Sequence, residues 1–487
     1  MNILFVWPFY IDEEIPFGLA YLSAMVKQKG HKTELFCLSS FPRRWQGQRA
    51  CTPEIRARFQ EKLMTFSPDL VGFSVISTGL DMSLELARLV KEQGDIPVIF
   101  GGGHPTVDPE GTINQEGVDM VCVGEGEHAF LELVTSLEQG EDLTKIANIW
   151  VKDRAQIYQN HPRPLIADLD TLPFLDRDLF DIGLFRHPSR GANFITGRGC
   201  PYKCSYCDNA HRQALYRGKG RFVRYRSISQ VIEEVKQVVK QNSPQWVIFS
   251  DETFTLNKSR TLELCKVYRE EIGLPFVCQT RPDRIDEEIA SVLKEAGCWY
   301  ITIGIEAGND YIRNSILNRK MDRGTITKAF YLLKQAGVRT GSFNMIGMPG
   351  ETKQTIRDTI NLNREIRPDT VNCTVLMPLK GTEIRKVYER DKLLLGEPYG
   401  DTYTVAIIRL PKLSPEKLIG YCSTFNFYVY SSRRLFPFIH LLRFLTSRAG
   451  EKRKWNNLHW RLLTLWAHKI AGKILNRTAY RWKQESA

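Results

Sequence analysis

The sequence predicts an α/β protein with a doubly wound sheet, a partial (β/α)6 barrel and a basic helical C-terminal extension. Three observations lead to this fold class. Short apolar runs alternate with helical patterns up to about residue 150, a second alternation begins at residue 191 and repeats about six times, and the pattern fades after residue 396. Alternating strands and helices are typical of parallel sheets. Because six units do not close an eight-stranded barrel, the second domain is expected to be a partial barrel.

These patterns divide the chain into four segments. We place the doubly wound domain at residues 1–150, a proline-containing linker at 151–190, the partial barrel at 191–395 and the helical extension at 396–487. A chain of 487 residues exceeds what one core usually supports, so several domains are expected. No apolar run approaches the ~20 residues that span a bilayer. The first residues are predicted to form a strand and not a signal peptide.

In the first domain, the predicted strands end in loops rich in small and polar residues. Strands are placed at 3–7, 32–38, 69–77, 97–100 and 120–123, and helices at 17–29, 82–93 and 128–137. In doubly wound sheets, ligands bind at the carboxyl ends of the strands. The residues predicted there are Ser74, Ser77, Gly101, Gly102, Gly103, His104, Gly124, Glu125, Gly126 and Glu127. Consecutive glycines allow a ligand to approach the backbone without an intervening Cβ atom, although they are also typical of a tight turn.

In the second domain, polar residues follow the predicted strands. Strands are placed at 193–196, 246–250, 276–280, 300–305, 339–346 and 370–377, and helices at 227–240, 258–271, 286–296, 322–336 and 351–366. In barrels the chemistry lies at the carboxyl ends of the strands. The charged residues at these ends are Asp251, Glu252, Arg281 and Glu306. Each acidic residue alone could be a helix cap or a salt-bridge partner, but their recurrence at successive strand ends favours a binding site.

Three cysteines, Cys200, Cys204 and Cys207, lie in the loop after the first barrel strand. Thiolates are soft ligands suited to zinc or to iron–sulfur clusters. Structural zinc normally has four protein ligands, so a zinc site would need His211 or a distant cysteine as the fourth. The alternative is a 4Fe–4S cluster held by three cysteines, which leaves one iron open. The other eight cysteines are scattered singly, which is typical of proteins in a reducing cytoplasm.

The Cys-x3-Cys-x2-Cys loop, with an aromatic residue just before its last cysteine, resembles the signature of the radical S-adenosylmethionine (SAM) superfamily. The resemblance implies that the three cysteines hold a 4Fe–4S cluster, that SAM binds its open iron and is cleaved to a 5′-deoxyadenosyl radical, and that an external reductant such as flavodoxin or ferredoxin supplies the electron. It further implies a set of SAM contacts at the strand ends. These are Tyr206, Asp251, Glu252, Arg281, Glu306, Met345 and Ile346.

The resemblance also assigns roles to the charged members of this set. Asp251 and Glu252 are expected to accept hydrogen bonds from the SAM amino group. Arg281 is expected to pair with the SAM carboxylate, and Glu306 to accept hydrogen bonds from the ribose hydroxyls. No further catalytic residue is predicted.

The serine strand and the glycine turn of the first domain, together with residues 16–22, resemble the cobalamin-binding domain that precedes many radical SAM enzymes. The resemblance implies that the ten strand-end residues named above contact cobalamin. The methionine-synthase type of this domain carries Asp-x-His-x-x-Gly after its first strand, whereas residues 8–14 contain no histidine. Either cobalamin binds with its lower face unligated by protein, or the domain has lost its cofactor. His104 is the nearest imidazole, and a turn position is expected for it.

The net charge of +12 is concentrated in the C-terminal tail, where residues 433–487 hold 13 Lys and Arg against 2 Glu. The tail contains an apolar stripe of Trp455, Leu458, Leu462, Leu465, Trp466 and Ile470. Three interpretations are open: a helical cap on the open barrel, a helix on an anionic membrane surface, and an RNA-binding surface. Between the two binding roles, the apolar stripe favours the membrane. We therefore expect a cytoplasmic protein with no nucleic-acid partner; under the membrane interpretation, the tail would also hold it at the inner face of the membrane.

The resemblance implies a radical SAM enzyme that uses cobalamin to methylate an unactivated carbon of a small-molecule or lipid-like substrate. In this family the radical takes a hydrogen atom, methylcobalamin supplies the methyl group and a second SAM recharges the cobalt. The alternative is a cyclase or oxidoreductase that transfers no methyl group. A methylthiotransferase is disfavoured, because Cys37, Cys51 and Cys122 do not group as a second cluster would require. A third hypothesis is a binding protein with a structural cysteine loop, and the carboxylates at the strand ends count against it.

Overall fold

The structure is a computed structural model and describes residues 1–9, 15–38, 51–154, 156–180, 191–400 and 402–451. Within these ranges, a doubly wound α/β domain is followed by a partial barrel and a pair of C-terminal helices. The fold class predicted from the sequence is therefore confirmed.

The first domain is a seven-stranded sheet within the described ranges, in the order β2-β1-β3-β4-β5-β6-β7. Its strands are β1 (Asn2–Trp7), β2 (Lys32–Cys37), β3 (Leu70–Ser74), β4 (Val98–Gly101), β5 (Met120–Cys122), β6 (Ile149–Asp153) and β7 (Gln156–Tyr158). Its helices are α1 (Phe17–Lys27), α2 (Pro53–Phe66), α3 (Leu80–Gln93), α4 (Gly103–Val107), α5 (Pro109–Ile113) and α6 (Glu127–Gln139). Strands β1 to β5 are parallel, and β6 and β7 are antiparallel at one edge. Alternate residues of β1 enter two separate apolar cores, one on each face of the sheet.

The β6–β7 hairpin extends the first sheet past residue 150, so the connector between the domains begins after Tyr158. This connector touches both domains. Asp176 forms an ion pair with Lys27 of α1 at 2.7 Å. Asp170 accepts a hydrogen bond from the backbone N–H of Ser227, which belongs to the second domain, at 2.9 Å. These contacts agree with the prediction of an ordered connector. Residues 181–190 lie outside the described ranges.

The second domain is a sheet of six parallel strands in the order β15-β14-β13-β12-β11-β8. The strands are β8 (Gly191–Phe194), β11 (Trp246–Phe249), β12 (Phe276–Thr280), β13 (Cys298–Glu306), β14 (Arg339–Ile346) and β15 (Thr370–Val375), and a two-stranded ribbon is formed by β9 (Gly197–Arg198) and β10 (Arg224–Tyr225). The helices are α7 (Asn209–Leu215), α8 (Ile228–Asn242), α9 (Lys258–Glu271), α10 (Glu287–Glu295), α11 (Arg323–Gln335), α12 (Lys353–Ile366) and α13 (Glu383–Arg390). This is the predicted partial barrel.

Two further helices, α14 (Pro415–Tyr430) and α15 (Phe436–Glu451), follow the barrel. Buried residues of α14 share an apolar core with β14, α12 and β15. Arg364 of α12 donates to the carbonyl oxygens of Tyr428 and Ser431 at 2.6 and 2.8 Å, which satisfies acceptors at the C-terminal end of α14. None of the helices in the described part of the chain is both long and apolar enough to cross a bilayer. The apolar stripe predicted at 455–470 lies outside the described residues.

Candidate active site

The loop that carries the three cysteines runs from β9 to α7. Gly199 lies at its start with φ +88°, and a Cβ atom there would lie 2.3 Å from the carbonyl oxygen of Phe222, so only glycine fits. The side-chain amide of Asn209 donates to the Cys200 carbonyl at 2.5 Å, and that of Gln213 donates to the same oxygen at 2.8 Å. Two amides of α7 therefore fix the shape of the cysteine loop.

The side chains of Cys200, Cys204 and Cys207 line one cavity of about 190 Å³, which we call the cysteine cavity. Burial raises the pKa of the Cys207 thiol to about 12 and also raises the pKa of Cys200. Two buried guanidinium groups face Cys204, since Nη1 of Arg281 lies 3.7 Å and Nη1 of Arg319 lies 4.0 Å from its Sγ. Three sulfur donors beside a cationic wall fit a 4Fe–4S cluster, whose thiolate ligands carry negative charge.

The geometry of the described residues does not favour the zinc alternative. In the part of the chain that the structure describes, no group of three or more His, Cys, Asp or Glu side chains is placed to hold a single metal ion. The imidazole of His211, the alternative fourth ligand, packs beside Gly381 of the loop that precedes α13. None of the 11 cysteines forms a disulfide bond.

A hydrogen-bonded group on the wall of the cysteine cavity consists of Tyr206, Glu306 and Arg319. Arg319 donates to the Tyr206 hydroxyl at 2.9 Å, and this hydroxyl donates to Oε1 of Glu306 at 3.1 Å. Nη1 of Arg319 lies 3.6 Å from the same carboxylate oxygen. Burial raises the pKa of Glu306, while the charge of Arg319 acts in the opposite direction.

The backbone at the end of β13 holds Glu306 in a strained position. Its φ is +69°, a conformation that non-glycine residues rarely adopt and that costs about 1–3 kcal/mol. The register between β13 and β14 shifts at this point. A Cβ atom at Gly304 would lie 2.5 Å from the Glu306 carboxylate. The strand end is therefore shaped to place this carboxylate at the cavity.

The structure places four of the seven predicted SAM contacts at the cysteine cavity: Tyr206, Glu252, Arg281 and Glu306. Asp251 is buried elsewhere and accepts hydrogen bonds from N and Oγ1 of Thr196 at 3.1 and 2.8 Å. Burial raises the pKa of Asp251 to about 7. Met345 and Ile346 pack in or against the apolar core beneath β14. These three residues support the strand ends and do not line the cavity.

Several residues that sequence reasoning missed also line the cysteine cavity, among them Tyr202, Gln279, Thr302, Arg319 and Phe343. Arg319 lies in an irregular loop between β13 and α11, where Asn318 and Lys320 have φ +54° and +53°. No periodic pattern marks such a loop in a sequence. Tyr202 had a usable signal, because it is an aromatic residue inside the cysteine motif, and the guanidinium of Arg281 lies 3.6 Å from the centre of its ring.

A second cavity of about 480 Å³, which we call the interdomain cavity, lies between the barrel and the carboxyl ends of β3, β4 and β5. Eight of the ten predicted strand-end residues line it: Ser74, Gly101, Gly102, Gly103, Gly124, Glu125, Gly126 and Glu127. Gly102 has φ +98°, and a Cβ atom there would lie 3.0 Å from the backbone of Val75. Because these glycines leave a wall without Cβ atoms, the residues present fit a large ligand such as cobalamin that approaches the backbone closely.

The two acidic residues of this wall pair with arginines of the barrel domain. Arg224 forms two hydrogen bonds with Glu125, at 3.0 and 2.5 Å, and Arg198 lies 2.6 Å from Glu127. Burial tends to raise the pKa of Glu125, but the hydrogen bonds from Arg224 and the charge of Arg198 outweigh it, and the pKa is lowered. Tyr216 accepts a hydrogen bond from the Glu125 N–H at 2.6 Å. These carboxylates join the domains at the edge of the cavity.

Ser77 and His104, the other two predicted residues, bond to each other beside the interdomain cavity instead of lining it. The Oγ–Nδ1 distance is 3.0 Å, and His104 is buried, which lowers its pKa. Nε2 of His104 lies 4.0 Å from Asp108, and Lys380 of the barrel domain lies 2.6 Å from the same carboxylate. His104 therefore lies in α4 and not at the turn position expected for it, and its Nε2 has no hydrogen-bond partner among the described residues.

Arg212 and Glu252 line both the cysteine cavity and the interdomain cavity, so the two sites are neighbours. Arg212 forms an ion pair with Asp208 at 3.2 Å. Its Nε is buried and has no hydrogen-bond partner among the described residues. These two side chains therefore form a wall that is common to both cavities.

Comparison with known proteins agrees with this arrangement. The profile of the radical SAM superfamily matches residues 194–362, and that of the B12 binding domain matches residues 12–134. An uncharacterised methyltransferase of Pyrococcus horikoshii is 28% identical over 411 residues, which is 83% of this chain and 85% of that protein. The anaerobic magnesium-protoporphyrin IX monomethyl ester cyclase of Rubrivivax gelatinosus is 26% identical over 399 residues, 78% of this chain and 68% of the cyclase.

A solved structure shares the fold of both domains. The radical SAM methyltransferase TsrM from Kitasatospora setae, determined with cobalamin and a [4Fe-4S] cluster bound, superimposes with a TM-score of 0.65 at 19% identity, over 80% of this chain and 75% of that one. The family predicted from the cysteine motif and the glycine turns is confirmed. This chain therefore carries a radical SAM domain and, before it, a B12-binding domain.

Proposed function

We propose that this protein is a cobalamin-dependent radical SAM methyltransferase that acts on an unactivated carbon. The observation that carries the proposal is the adjacency of the two cavities, which share Arg212 and Glu252. A methyl transfer of this kind requires that the carbon to be activated and the methyl donor meet in one place. The shared wall provides such a place, open to both sites.

When bound, the cluster and SAM supply hydrogen-abstracting radical chemistry, and cobalamin supplies methyl-transfer chemistry. The residues of this chain bind and orient these groups. Cys200, Cys204 and Cys207 would hold the cluster, and the guanidinium groups of Arg281 and Arg319 would offset the negative charge of the thiolates.

Two carboxylates at the cysteine cavity are suited to SAM. Glu252 faces the cavity and can accept hydrogen bonds from an ammonium group. Tyr206 and Arg319 hold Oε1 of Glu306, and Oε2 accepts no hydrogen bond among the described residues, so it can accept from ribose hydroxyls. On the other side, Ser74 and the glycine turns would form the wall against cobalamin.

The cyclase alternative is favoured by one observation, the similarity to the Rubrivivax gelatinosus cyclase over 78% of this chain. Under that alternative the cysteine cavity performs the same radical chemistry and no methyl group is transferred. The two functions therefore differ in the fate of the SAM methyl group and not in the geometry of the cluster site.

The experiment that separates them begins with anaerobic purification from cells supplied with cobalamin, followed by measurement of iron, sulfide and cobalamin per chain. The loaded protein is then incubated with SAM labelled in its methyl group. We expect a 4Fe–4S cluster, one cobalamin and label on the cobalamin. A cluster with no cobalamin after reconstitution, together with SAM cleavage and no transfer of label, would replace the methyltransferase by the cyclase alternative.

We further propose a small-molecule or lipid-like substrate, a cytoplasmic location and peripheral contact with the membrane through the C-terminal region. The 11 free cysteines support a reducing compartment. Phe438 and Leu441 of α15 are 52% and 54% exposed, and residues 452–487, which hold nine of the 13 basic residues of the tail, follow this helix. Flotation with anionic liposomes tests the contact: the full chain should float and a chain truncated after residue 451 should not. Equal partitioning of the two would overturn it.

A further inference from the structure

The surface beside the cysteine loop carries three basic side chains, Lys203, Arg284 and Lys320, which we call the basic patch. Lys203 and Lys320 are exposed, and the side chain of Arg284 is 40% exposed. Two hydrogen bonds join the loops of the lysines, because Ser205 N–H donates to the Leu317 carbonyl at 3.1 Å and the Asn318 amide donates to the Lys203 carbonyl at 2.7 Å. The two lysines are therefore held on one surface.

Each member of the basic patch adjoins a residue of the cysteine cavity. Lys203 directly precedes Cys204 in the chain. Lys320 directly follows Arg319, whose guanidinium lies 4.0 Å from the Cys204 sulfur. Arg284 donates to the Tyr202 hydroxyl at 2.5 Å, and the Tyr202 ring lines the cavity. The basic patch thus lies on the surface of the segments whose other residues line the cysteine cavity.

The charge of the basic patch is largely uncompensated. Among the described residues, neither lysine forms an ion pair. Asp283 lies 3.9 Å from Arg284 but is bound more closely by Arg281, at 2.9 Å. Asp322, two residues from Lys320, accepts the N–H of Thr325 as the N-cap of α11. Exposed lysines without partners leave a net positive field at this point of the surface.

We propose that the basic patch is the docking surface for an acidic one-electron carrier protein. The proposal rests on the proposed function, since it needs a cluster behind the patch. One electron leaves the reduced carrier, which is oxidised, and enters the cluster, which is reduced; no bond is formed or broken and no proton moves. Complementary charge raises the rate of encounter and orients the partner. The patch favours an acidic carrier because it presents cations on the surface beside the cysteine loop.

The test uses the reconstituted holoenzyme and reduced flavodoxin as the acidic carrier. The variant K203E/K320E reverses both charges. The matched control K240E/K266E reverses two exposed lysines on the outer helices α8 and α9 of the barrel. Cluster reduction is followed by the bleaching of its visible absorption in rapid mixing, with flavodoxin or with dithionite as reductant. Binding of oxidised flavodoxin is measured separately by titration calorimetry at low and high salt.

At low salt we expect K203E/K320E to slow reduction by flavodoxin about tenfold or more and to weaken its binding, with a flatter salt dependence. Reduction by dithionite should be unchanged in this variant, and the control should match the wild type with both reductants. Equal rates and equal flavodoxin affinities in wild type and K203E/K320E would overturn the docking surface and leave the proposed function standing. A chain that takes up no cluster would overturn both.

Discussion

The cysteine cavity and the interdomain cavity are both lined by acidic and basic side chains, but the charges act in different ways. In the interdomain cavity, Glu125 and Glu127 are each paired with an arginine of the other domain. In the cysteine cavity, Glu252 forms no ion pair among the described residues, and Glu306 sits on a strained backbone with φ +69°. Paired charges across a boundary fix the relative position of two domains, whereas uncompensated charge and strain are typical of sites that bind and react.

This difference extends to the pKa values. The pKa of Glu125 is lowered, because hydrogen bonds from Arg224 and the charge of Arg198 outweigh the effect of burial. The pKa of Asp251, which precedes Glu252 in the chain but does not line the cysteine cavity, is raised by burial to about 7. The interdomain wall therefore gains stability from its ionised carboxylate, and the cysteine side loses stability on ionising its buried one.

The largest effect is expected for Cys204→Ala. This residue is the buried member of the cysteine motif and faces both Arg281 and Arg319, so its removal should abolish cluster binding and SAM cleavage. Iron and sulfide analysis after anaerobic reconstitution measures the loss. Cys51→Ala, far from the motif in sequence, is the control and should retain a full cluster. A Cys204→Ala variant with the iron content of the wild type would show that the cavity does not hold the cluster.

Glu125→Gln should lower the free energy of unfolding by about 3 kcal/mol near pH 7, because it leaves the charge of Arg224 without its partner. Chemical denaturation gives the value. The control is Glu132→Gln, whose carboxylate is 49% exposed and pairs with Arg163; such exposed pairs contribute less than about 1 kcal/mol.

The Glu125 effect also has a defined pH dependence. A lowered pKa means that the pair stabilises the fold above the unfolded-state pKa and that this stability is lost as the pH falls through the folded-state value. The difference between wild type and Glu125→Gln should therefore shrink in acid. A difference that grew in acid would contradict the role of an ionised carboxylate.

Asp251→Asn should show the opposite pH dependence. Because the pKa of Asp251 is raised to about 7, the folded state holds a proton that the unfolded chain has released, and wild-type stability falls as the pH rises through this range. The asparagine variant lacks this ionisation, so it should gain about 2 kcal/mol relative to the wild type between about pH 5 and pH 7. Unfolding curves of the wild type and of Asp251→Asn at both pH values give the two differences in the free energy of unfolding. The same difference at both pH values would contradict the prediction.

Gly102→Ala should weaken cobalamin binding about tenfold. An added Cβ atom would lie 3.0 Å from Val75, and φ +98° is unfavourable for alanine by about 1–3 kcal/mol. Gly396 provides a control, since a Cβ atom there would meet nothing within 4 Å and the residue lines neither cavity. Spectroscopic titration of the two variants with cobalamin should separate them. Equal affinities would place the ligand away from the glycine turn.

The sequence predicted the parts of the site that are local in the chain. The three cysteines lie within eight residues, and the glycine turns follow regular strands, so spacing and periodicity were sufficient. Arg319 could not be predicted, because it reaches Cys204 from an irregular loop more than 100 residues away. Nor could a sequence show that Asp251 bonds to Thr196 instead of facing the cavity, since the side chain's partner is set by tertiary packing.

We infer that the cluster and cobalamin would occupy neighbouring cavities that share Arg212 and Glu252. Electron paramagnetic resonance tests it directly, using the holoenzyme with a reduced cluster and cobalamin in the Co(II) state. The account predicts that the two paramagnetic centres are close enough to interact, so that each spectrum is broadened and relaxes faster when the other centre is present. Two spectra that add without any change in line shape or relaxation would contradict the account.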